Sequence, residues 1–525
     1  MALGKNQAKI EYGDFQTPES LAEQICELVA QMGWKPLTIL EPTCGVGHFL
    51  SAALQSFPSL THLAGVEINP EYAAAAKLAL ENDSAQRSDV VIDVSVADFF
   101  VKEWESYLAK LPDPILIIGN PPWVTSAEIG SLNGNNLPQK HNFQNLSGLD
   151  ALTGASNFDI SEWILLKILE WMERRAGVIA MLCKTSVARK VLFTIWKNQH
   201  GFVDCQLYKI DAQKTFGVSV DACLFVYNNL KNCDRQRQDA PSCVVYETLS
   251  DSRPSGRIGF QDGILVSDID LFDKHRHLLS AARTKQAYEW RSGIKHDASG
   301  VMELRKGEDG YTNRLGETFQ LEDEYVYPMF KSSDIAGKLI KHPRFWMLVP
   351  QRQIGEETAP IRMVAPYTWH YLVDHSAILD NRKSSIYRNR PRFSIFGIGD
   401  YSFAPWKVAI SGMYKGLHFQ VIGEYNERSV VLDDTCYFLS CTTKKEAEFI
   451  AYLLNSEIAQ QFYRGLLFWD EKRPVTIRLL RKLNIAALAE ELGVGDQLAA
   501  FVPSIYKNVS HAQLQLLERP PVYEA

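Results

Sequence analysis

Asn120-Pro121-Pro122-Trp123 is the short stretch of this chain best suited to chemistry. Two successive prolines fix two backbone dihedrals and remove two N–H donors, leaving carbonyl oxygens free to accept. Asn120 adds a neutral side-chain carbonyl, and Trp123 a flat face. Together they form a cradle for a planar amine: two acceptors for its two hydrogens and a stacking plate. Three further groups suit a ligand. Glu41-Pro42-Thr43-Cys44-Gly45-Val46-Gly47 contains two glycines, which let a backbone turn tightly and approach a ligand closely. It lacks the third glycine of a dinucleotide loop, and its acid suits a cation better than a phosphate. Glu67 can accept from both hydroxyls of a ribose. Asp98 can accept from an adenine amino group while Phe99 packs on the ring. Bland readings compete: an ordinary βα turn, two solvated strand-end acids and a rigid turn at 120–123.

The elements around these residues alternate. Thr17 is placed to cap, and Pro18 to open, a helix over 21–32. Apolar strands are expected at 38–40, 63–67, 90–96, 114–118 and 177–182, with helices at 49–54, 70–79 and 160–174. Repeated strand–helix units mean an α/β fold, a mostly parallel, doubly wound sheet with helices on both faces. Ligands sit at the carboxyl ends of such strands, where every motif above falls. Residues 125–156 turn to Asn, Gly, Ser and Gln, which reads as a long loop, a lid or a disordered segment. The polar stretch 228–242 places a boundary, giving domains 1–235 and 236–525. The second is expected to be mixed α+β, in one or two subdomains.

At 525 residues the chain has room for about three domain-sized units, and its 46% hydrophobic and 22% charged residues are those of a globular protein. No run of about 20 apolar residues suggests a membrane span, and Met1 to Lys9 lacks an apolar signal core. Nine cysteines without a C-x-x-C pair argue against a zinc ribbon or a disulfide framework. The expectation is a cytoplasmic protein with no metal and no membrane partner. A net charge of −7 excludes coating of nucleic acid by bulk charge. Residues 1–230 hold 17 basic against 25 acidic residues, the remainder 38 against 37, so a polyanion surface belongs to the back half. Arg382, Lys383, Arg388, Arg390 and Arg392, interleaved with Tyr387, Phe393 and Phe396, are candidates for phosphate contacts, as is Lys407. Lys472 and Arg473, with Arg478, Arg481 and Lys482, form a second cluster. A solvated loop is the bland alternative for both.

Glu41 to Gly47, Glu67, Asp98-Phe99 and Asn120 to Trp123, in this order and each at a strand end, resemble S-adenosylmethionine-dependent amino-methyltransferases of DNA. The likeness is to the gamma-class N6-adenine enzymes of restriction–modification systems, including the Taq type. Thr17-Pro18, within Gly13-Asp-Phe-Gln-Thr-Pro, matches a Thr-Pro segment of that class. The resemblance covers residues 10–230 with specific motifs. It continues loosely through Tyr325 to Asp334, Phe396 to Tyr414 and Asp433 to Leu483. It implies a Rossmann-like class I methyltransferase domain followed by a target-recognition region, with S-adenosylmethionine as cofactor. The implied reaction is methylation of adenine N6 in double-stranded DNA by base flipping. Thr17, Glu41, Cys44 and Gly45 would line the methionine end of the cofactor, with Gly47 in the same loop. Glu67 would hold the ribose, Ile68 would pack on the adenine, and Asp98 with Phe99 would meet its edge and face. Asn120 and the Pro121 carbonyl would hold the target amine, with Pro122 stiffening the corner and Trp123 and Phe216 against the target base. The family's tetrapeptide most often ends in Tyr or Phe, so Trp123 is a larger plate. Cytosine N4 suits the same two acceptors. Alternatives are an RNA or protein-glutamine amino-methyltransferase, or a non-catalytic DNA-specificity subunit. No fused nuclease is expected; the chain would work with a separate nuclease or antiphage subunits, or alone.

Overall fold

Buried apolar runs make the strands of the first unit, and the segments between them fold back as helices. The computed structural model describes residues 16–83, 87–124, 159–197, 204–229, 241–280, 288–337 and 342–502. The chain divides into two units, Met1–Ile269 and Asp270–Ala525.

In the first unit, α1 (Glu19–Gln31), β1 (Thr38–Glu41), α2 (His48–Ser56), β2 (His62–Glu67), α3 (Pro70–Asp83), β3 (Val91–Val96), α4 (Trp104–Leu108) and β4 (Ile115–Gly119) come first. They are followed by α5 (Ile160–Met172), β5 (Gly177–Lys184), α6 (Thr185–Lys197), β6 (Asp204–Ile210), α7 (Ala212–Phe216), β7 (Ala222–Asn228), β8 (Ser242–Tyr246), β9 (Gly256–Gln261) and β10 (Ile264–Val266). The strands form one sheet in the order β10-β9-β8-β6-β7-β5-β4-β1-β2-β3. β3, β2, β1, β4 and β5 run parallel, and β7 enters antiparallel between β5 and β6. β1 and β4 are buried along their whole length, as strands covered on both faces should be. Ile39, Phe49, Leu50, Leu63, Leu116 and Ile118 anchor the core. The chain winds outward from β1 to β3 and then crosses to β4, so strand order reverses between β1 and β4. A crevice at their carboxyl ends is the consequence.

The expected α/β architecture is therefore present, with three differences. α1 starts at Glu19, with Pro18 extended at the cap position. Thr17 does not cap it; its carbonyl instead accepts from His48 Nδ1 at 2.6 Å. The expected boundary near 235 gives way to one at 269, because β8 adds parallel to β6 and carries β9 and β10 into the same sheet. The expected loop at 125–156, and residues 230–240 around the expected boundary, lie outside the described residues.

The second unit mixes strands and helices, as expected. β12 (Glu303–Gly307), β13 (Gly310–Thr312), β14 (Thr318–Phe319), β15 (Val326–Phe330), β16 (Phe345–Leu348) and β19 (Val431–Leu432) form a sheet in the order β14-β13-β12-β16-β15-β19. β11 (Arg291–Ser292), β17 (Trp406–Ser411), β18 (Gln420–Ile422) and β20 (Cys436–Cys441) form another. The first packs Leu304, Val326, Met329 and Met347 against Tyr371 and Leu372 of α8 (Pro366–Asp374). Among the described residues no helix is long and apolar enough to cross a membrane.

Candidate cofactor and amine site

β1 and β2 are neighbours in register and end in acids, so Glu41 and Glu67 reach the same crevice. Glu67 Oε2 accepts from Gly45 N at 2.8 Å and Oε1 from Asn69 N at 2.8 Å. One carboxylate thereby ties the loop after β1 to the turn after β2. Gly45 sits at φ +50°, and a Cβ there would meet Gln16 Oε1 at 2.5 Å. Gly47, at φ +86°, has a different task. A Cβ on it would lie 2.9 Å from Ala76 Cβ, so this glycine lets the loop pack on α3. It does not border the cavity.

The cavity has a volume of about 410 Å³. Thr17, Glu41, Cys44 and Gly45 border it. Glu67, Ile68, Asp98 and Phe99 border it too, with Ile68 38% exposed. Asp98 Oδ1 accepts from Phe100 N at 2.8 Å, which fixes the turn after β3. Phe99 is buried in an aromatic cluster, 5.1 Å from the Trp104 ring and 5.7 Å from Trp171. Phe100, half-buried beside it, also borders the cavity, as do Asn69, Tyr72 and Ile164. The sequence reading missed these four. The doubled Phe99-Phe100 was a usable signal, whereas Ile164 reaches the site only through the packing of α5.

Glu41 carries an electrostatic anomaly. It is 3% exposed, and burial together with the charge of Glu67 holds its carboxyl well above the usual range. Its Oε2 and the Thr43 Oγ1 are buried without a hydrogen-bond partner among the described residues. Leaving such atoms unsatisfied costs about 1–3 kcal/mol each, so the site is built for a ligand that supplies partners. A cationic group beside Glu41 and Glu67 fits that demand.

β4 delivers the Asn120 corner to this cavity, where Asn120 and Pro122 border it. Pro121 is buried. Trp123, 6% exposed, packs in the core, and its ring lies edge-to-face with Phe216 of α7 at 5.2 Å and 74°. Neither aromatic borders the cavity, so the expected stacking plate faces Phe216 here. The corner is also pinned from behind. Lys184, at the end of β5, donates to the Trp123 carbonyl at 3.0 Å and pairs with Asp159 at 2.6 Å. Asp159 Oδ1 in turn caps α5 through Ser161 N at 3.0 Å.

The basic residues of the second unit divide. Arg382 is not a free cation: it lies 3.8 Å over the Tyr387 ring and donates to the carbonyls of Leu379, His296 and Ser394. Lys407 is 1% exposed, donates to the Ala404 carbonyl at 2.6 Å, and burial takes its ammonium down to about 7. Both expectations of a phosphate contact are thus corrected; these side chains staple their own unit together. Lys383, Arg388, Arg390, Arg392, Lys472 and Arg473 are exposed. Arg392 pairs with Asp380 at 2.7 Å and Arg473 with Asp434 at 3.6 Å.

Known proteins share the sequence and the fold. No family model matches the chain. The Type II methyltransferase M.NspV of Nostoc sp. is 45% identical over 482 residues, 92% of this chain and 98% of that protein. The Type II methyltransferase M.CvrRI of Paramecium bursaria Chlorella virus XZ-6E is 31% identical over 113 residues, 22% of this chain and 25% of that protein. Among solved structures, the type IIL restriction–modification enzyme MmeI, determined in complex with DNA, shares the fold at a TM-score of 0.52 and 15% identity, over 96% of this chain and 75% of that one. The sheet with its antiparallel β7 is the Rossmann-like core of class I methyltransferases. With the Nostoc protein matched almost end to end, the chain belongs to the type II methyltransferases of restriction–modification systems, enzymes that draw their methyl group from S-adenosylmethionine.

Proposed function

We propose that this methyltransferase acts on the N6 amine of adenine in double-stranded DNA, with the target base swung out of the duplex. The observation that carries the reading is the convergence of Asn120 and Pro122 on the cavity that also holds Glu41 and Glu67. When bound, S-adenosylmethionine supplies a sulfonium methyl. Glu41 and Glu67 would hold its cationic and hydroxyl groups, Ile68, Asp98 and Phe99 would hold its adenine, and Thr17, Cys44 and Gly45 would hold its methionine end. The lone pair of an adenine amine is delocalised into the ring and is a poor nucleophile. The Asn120 side-chain carbonyl and the Pro121 main-chain carbonyl accept the two N–H groups and favour a pyramidal nitrogen with a localised lone pair. The same fixed dipoles stabilise positive charge as it develops on that nitrogen. Extruding the base costs a few kcal/mol. Stacking on an aromatic face can offset about 1–3 kcal/mol of this, a contact that the core-packed, edge-to-face Trp123 and Phe216 do not offer in this structure. The second unit serves target recognition, and a separate nuclease or antiphage subunit is the expected companion in the cytoplasm.

The decisive experiment is tritium transfer from labelled cofactor to DNA, RNA or protein, with sequencing of native DNA from a methylation-free host. Label in N6-methyladenine at one short sequence supports the reading. Label in N4-methylcytosine overturns the base assignment, and label in RNA or protein alone overturns the substrate.

Lys184 is the positioning residue of this corner. Lys184→Met should lower kcat by about 10- to 100-fold, since a displacement of about 1 Å at a reacting group can cost that much. The cofactor Kd should stay within threefold, because Lys184 touches nothing in the cavity. Single-turnover kinetics beside calorimetric titration checks both halves.

A further inference from the structure

The register of the six-stranded sheet gathers cations that lie far apart in the sequence. β12 pairs antiparallel with β16 through Glu303↔Met347 and Leu304↔Trp346, which brings Arg305 to Phe345. Lys331 follows β15, whose Met329 is the partner of Phe345. Arg305, Arg314, Lys331 and Arg344 consequently surround one ring, at 5.8, 5.1, 5.4 and 5.9 Å from the Phe345 centroid. Two carboxylates answer these four charges. Glu303, buried beneath them, takes Lys331 at 2.5 Å and Arg314; Asp334 takes Arg344 at 2.5 Å. Arg305 is exposed and has no carboxylate partner among the described residues. The surplus continues around the same corner. Lys306 lies 4.9 Å from the Trp346 ring and Arg428 5.4 Å from Tyr327, and the two share Asp323 at 3.7 Å each.

Six cations against four acids, Asp433 also facing Lys331, leave a surplus of +2 on a chain whose net charge is −7. The pattern differs from an ordinary solvated charge run. Aromatic faces hold the long side chains in place, which lowers the entropy lost when their N–H groups engage a ligand. The carboxylates sit below or beside the cations, so the guanidinium fork of Arg305 remains available for bidentate contact with phosphate, while Arg344, whose Nε and Nη2 are held by Asp334 and Ser333, offers its remaining Nη1 group. A double-stranded polyanion matches a spread of fixed charges better than a single phosphate group does.

We propose that this corner of the second unit, with Arg305 and Arg344 foremost, grips the phosphate backbone of duplex DNA. The proposal rests on the reading that DNA is the substrate. It adds a second phosphate-binding surface to the loop at 382–392, where Arg382 is tied inward but Lys383, Arg388 and Arg390 are exposed.

The test measures binding of the full-length protein to its own methylation site as a function of salt. Each phosphate contact contributes about 0.9 to the slope of log K against log salt. Arg305→Ala/Arg344→Ala should flatten the slope by about 2 and weaken binding at low salt at least tenfold, with the cofactor Kd unchanged. Arg305→Lys/Arg344→Lys should keep the slope. If the double variant loses cofactor binding through misfolding, Arg305→Glu alone, at an exposed position, should still weaken DNA binding and flatten the slope. Wild-type slope and affinity in the Ala and Glu variants would overturn the proposal while DNA remains the substrate. A wild-type protein that neither binds nor labels duplex DNA would overturn the substrate reading instead.

Discussion

Asn120→Ala is expected to reduce methyl transfer by about 10²–10³-fold or more, the usual scale for deleting one preorganised polar group from a reacting centre. The cofactor Kd should change by less than threefold. The asymmetry follows from position: Asn120 borders the cavity at the end of β4, across the crevice from Glu67, the group proposed to hold the ribose. Its side chain is asked to act on the amine, not on the donor. Rapid-quench measurement of the chemical step, beside calorimetry of the cofactor, separates the two. Turnover near the wild-type rate would show that the Asn-Pro-Pro corner holds no amine. A parallel collapse of cofactor binding would assign Asn120 to the donor pocket.

Glu41→Gln should make the ligand-free protein more stable and the cofactor complex weaker. Burial and the neighbouring Glu67 charge raise the Glu41 carboxyl in the folded state. Between its ordinary value of 4.5 and that raised value the folded chain keeps a proton that the unfolded chain has lost. The folded state therefore binds more protons, and the stability Glu41 contributes, present below pH 4.5, is lost as pH rises toward the folded value. Glutamine has no such loss. The advantage of the variant should be absent at acid pH and grow at up to about 1.4 kcal/mol per pH unit, reaching about 1–3 kcal/mol near neutrality. Cofactor affinity should move oppositely. A cation favours the ionised carboxylate, so wild-type affinity should rise with pH over the same window, and Glu41→Gln should bind at least tenfold weaker with a flat profile. Denaturant titrations and cofactor titrations across pH 5–9 check both. A variant that is less stable than wild type at neutral pH would show that Glu41 is ionised and well solvated in the folded protein.

The parts of this site that the sequence revealed are local ones. Glu41, Glu67, Asp98 and Asn120 each end a strand, and a strand followed by a turn and a helix is written in consecutive residues. Four such units in parallel register must converge at the carboxyl edge, so the convergence itself was legible. What stayed hidden depends on burial and on contacts between distant segments. The run from Arg382 to Arg392 looks uniformly basic, yet Arg382 faces inward because three carbonyls and the Tyr387 ring wait there. Lys407 alternates correctly for a half-buried strand, and nothing in its neighbours says that both faces of β17 are covered. Gly47 looked like a ligand glycine because its real neighbour, Ala76, lies on another helix. Residues 305, 314, 331 and 344 are too scattered to look like a cluster until strand pairing gathers them around Phe345.

The addition of β8, β9 and β10 to the first sheet bears on how this protein can be cut. β6 pairs with β8 on its outer side through four residues, Cys205 to Tyr208. A fragment ending at 235 would strip that cover and bare a row of amide and carbonyl groups beside buried Leu207, an invitation to intermolecular strand pairing. A fragment ending at 269 would finish instead on the three-residue β10, an edge too short to template much growth. Solubility of the isolated methyltransferase half should therefore hinge on thirty-odd residues that contribute nothing to its cavity.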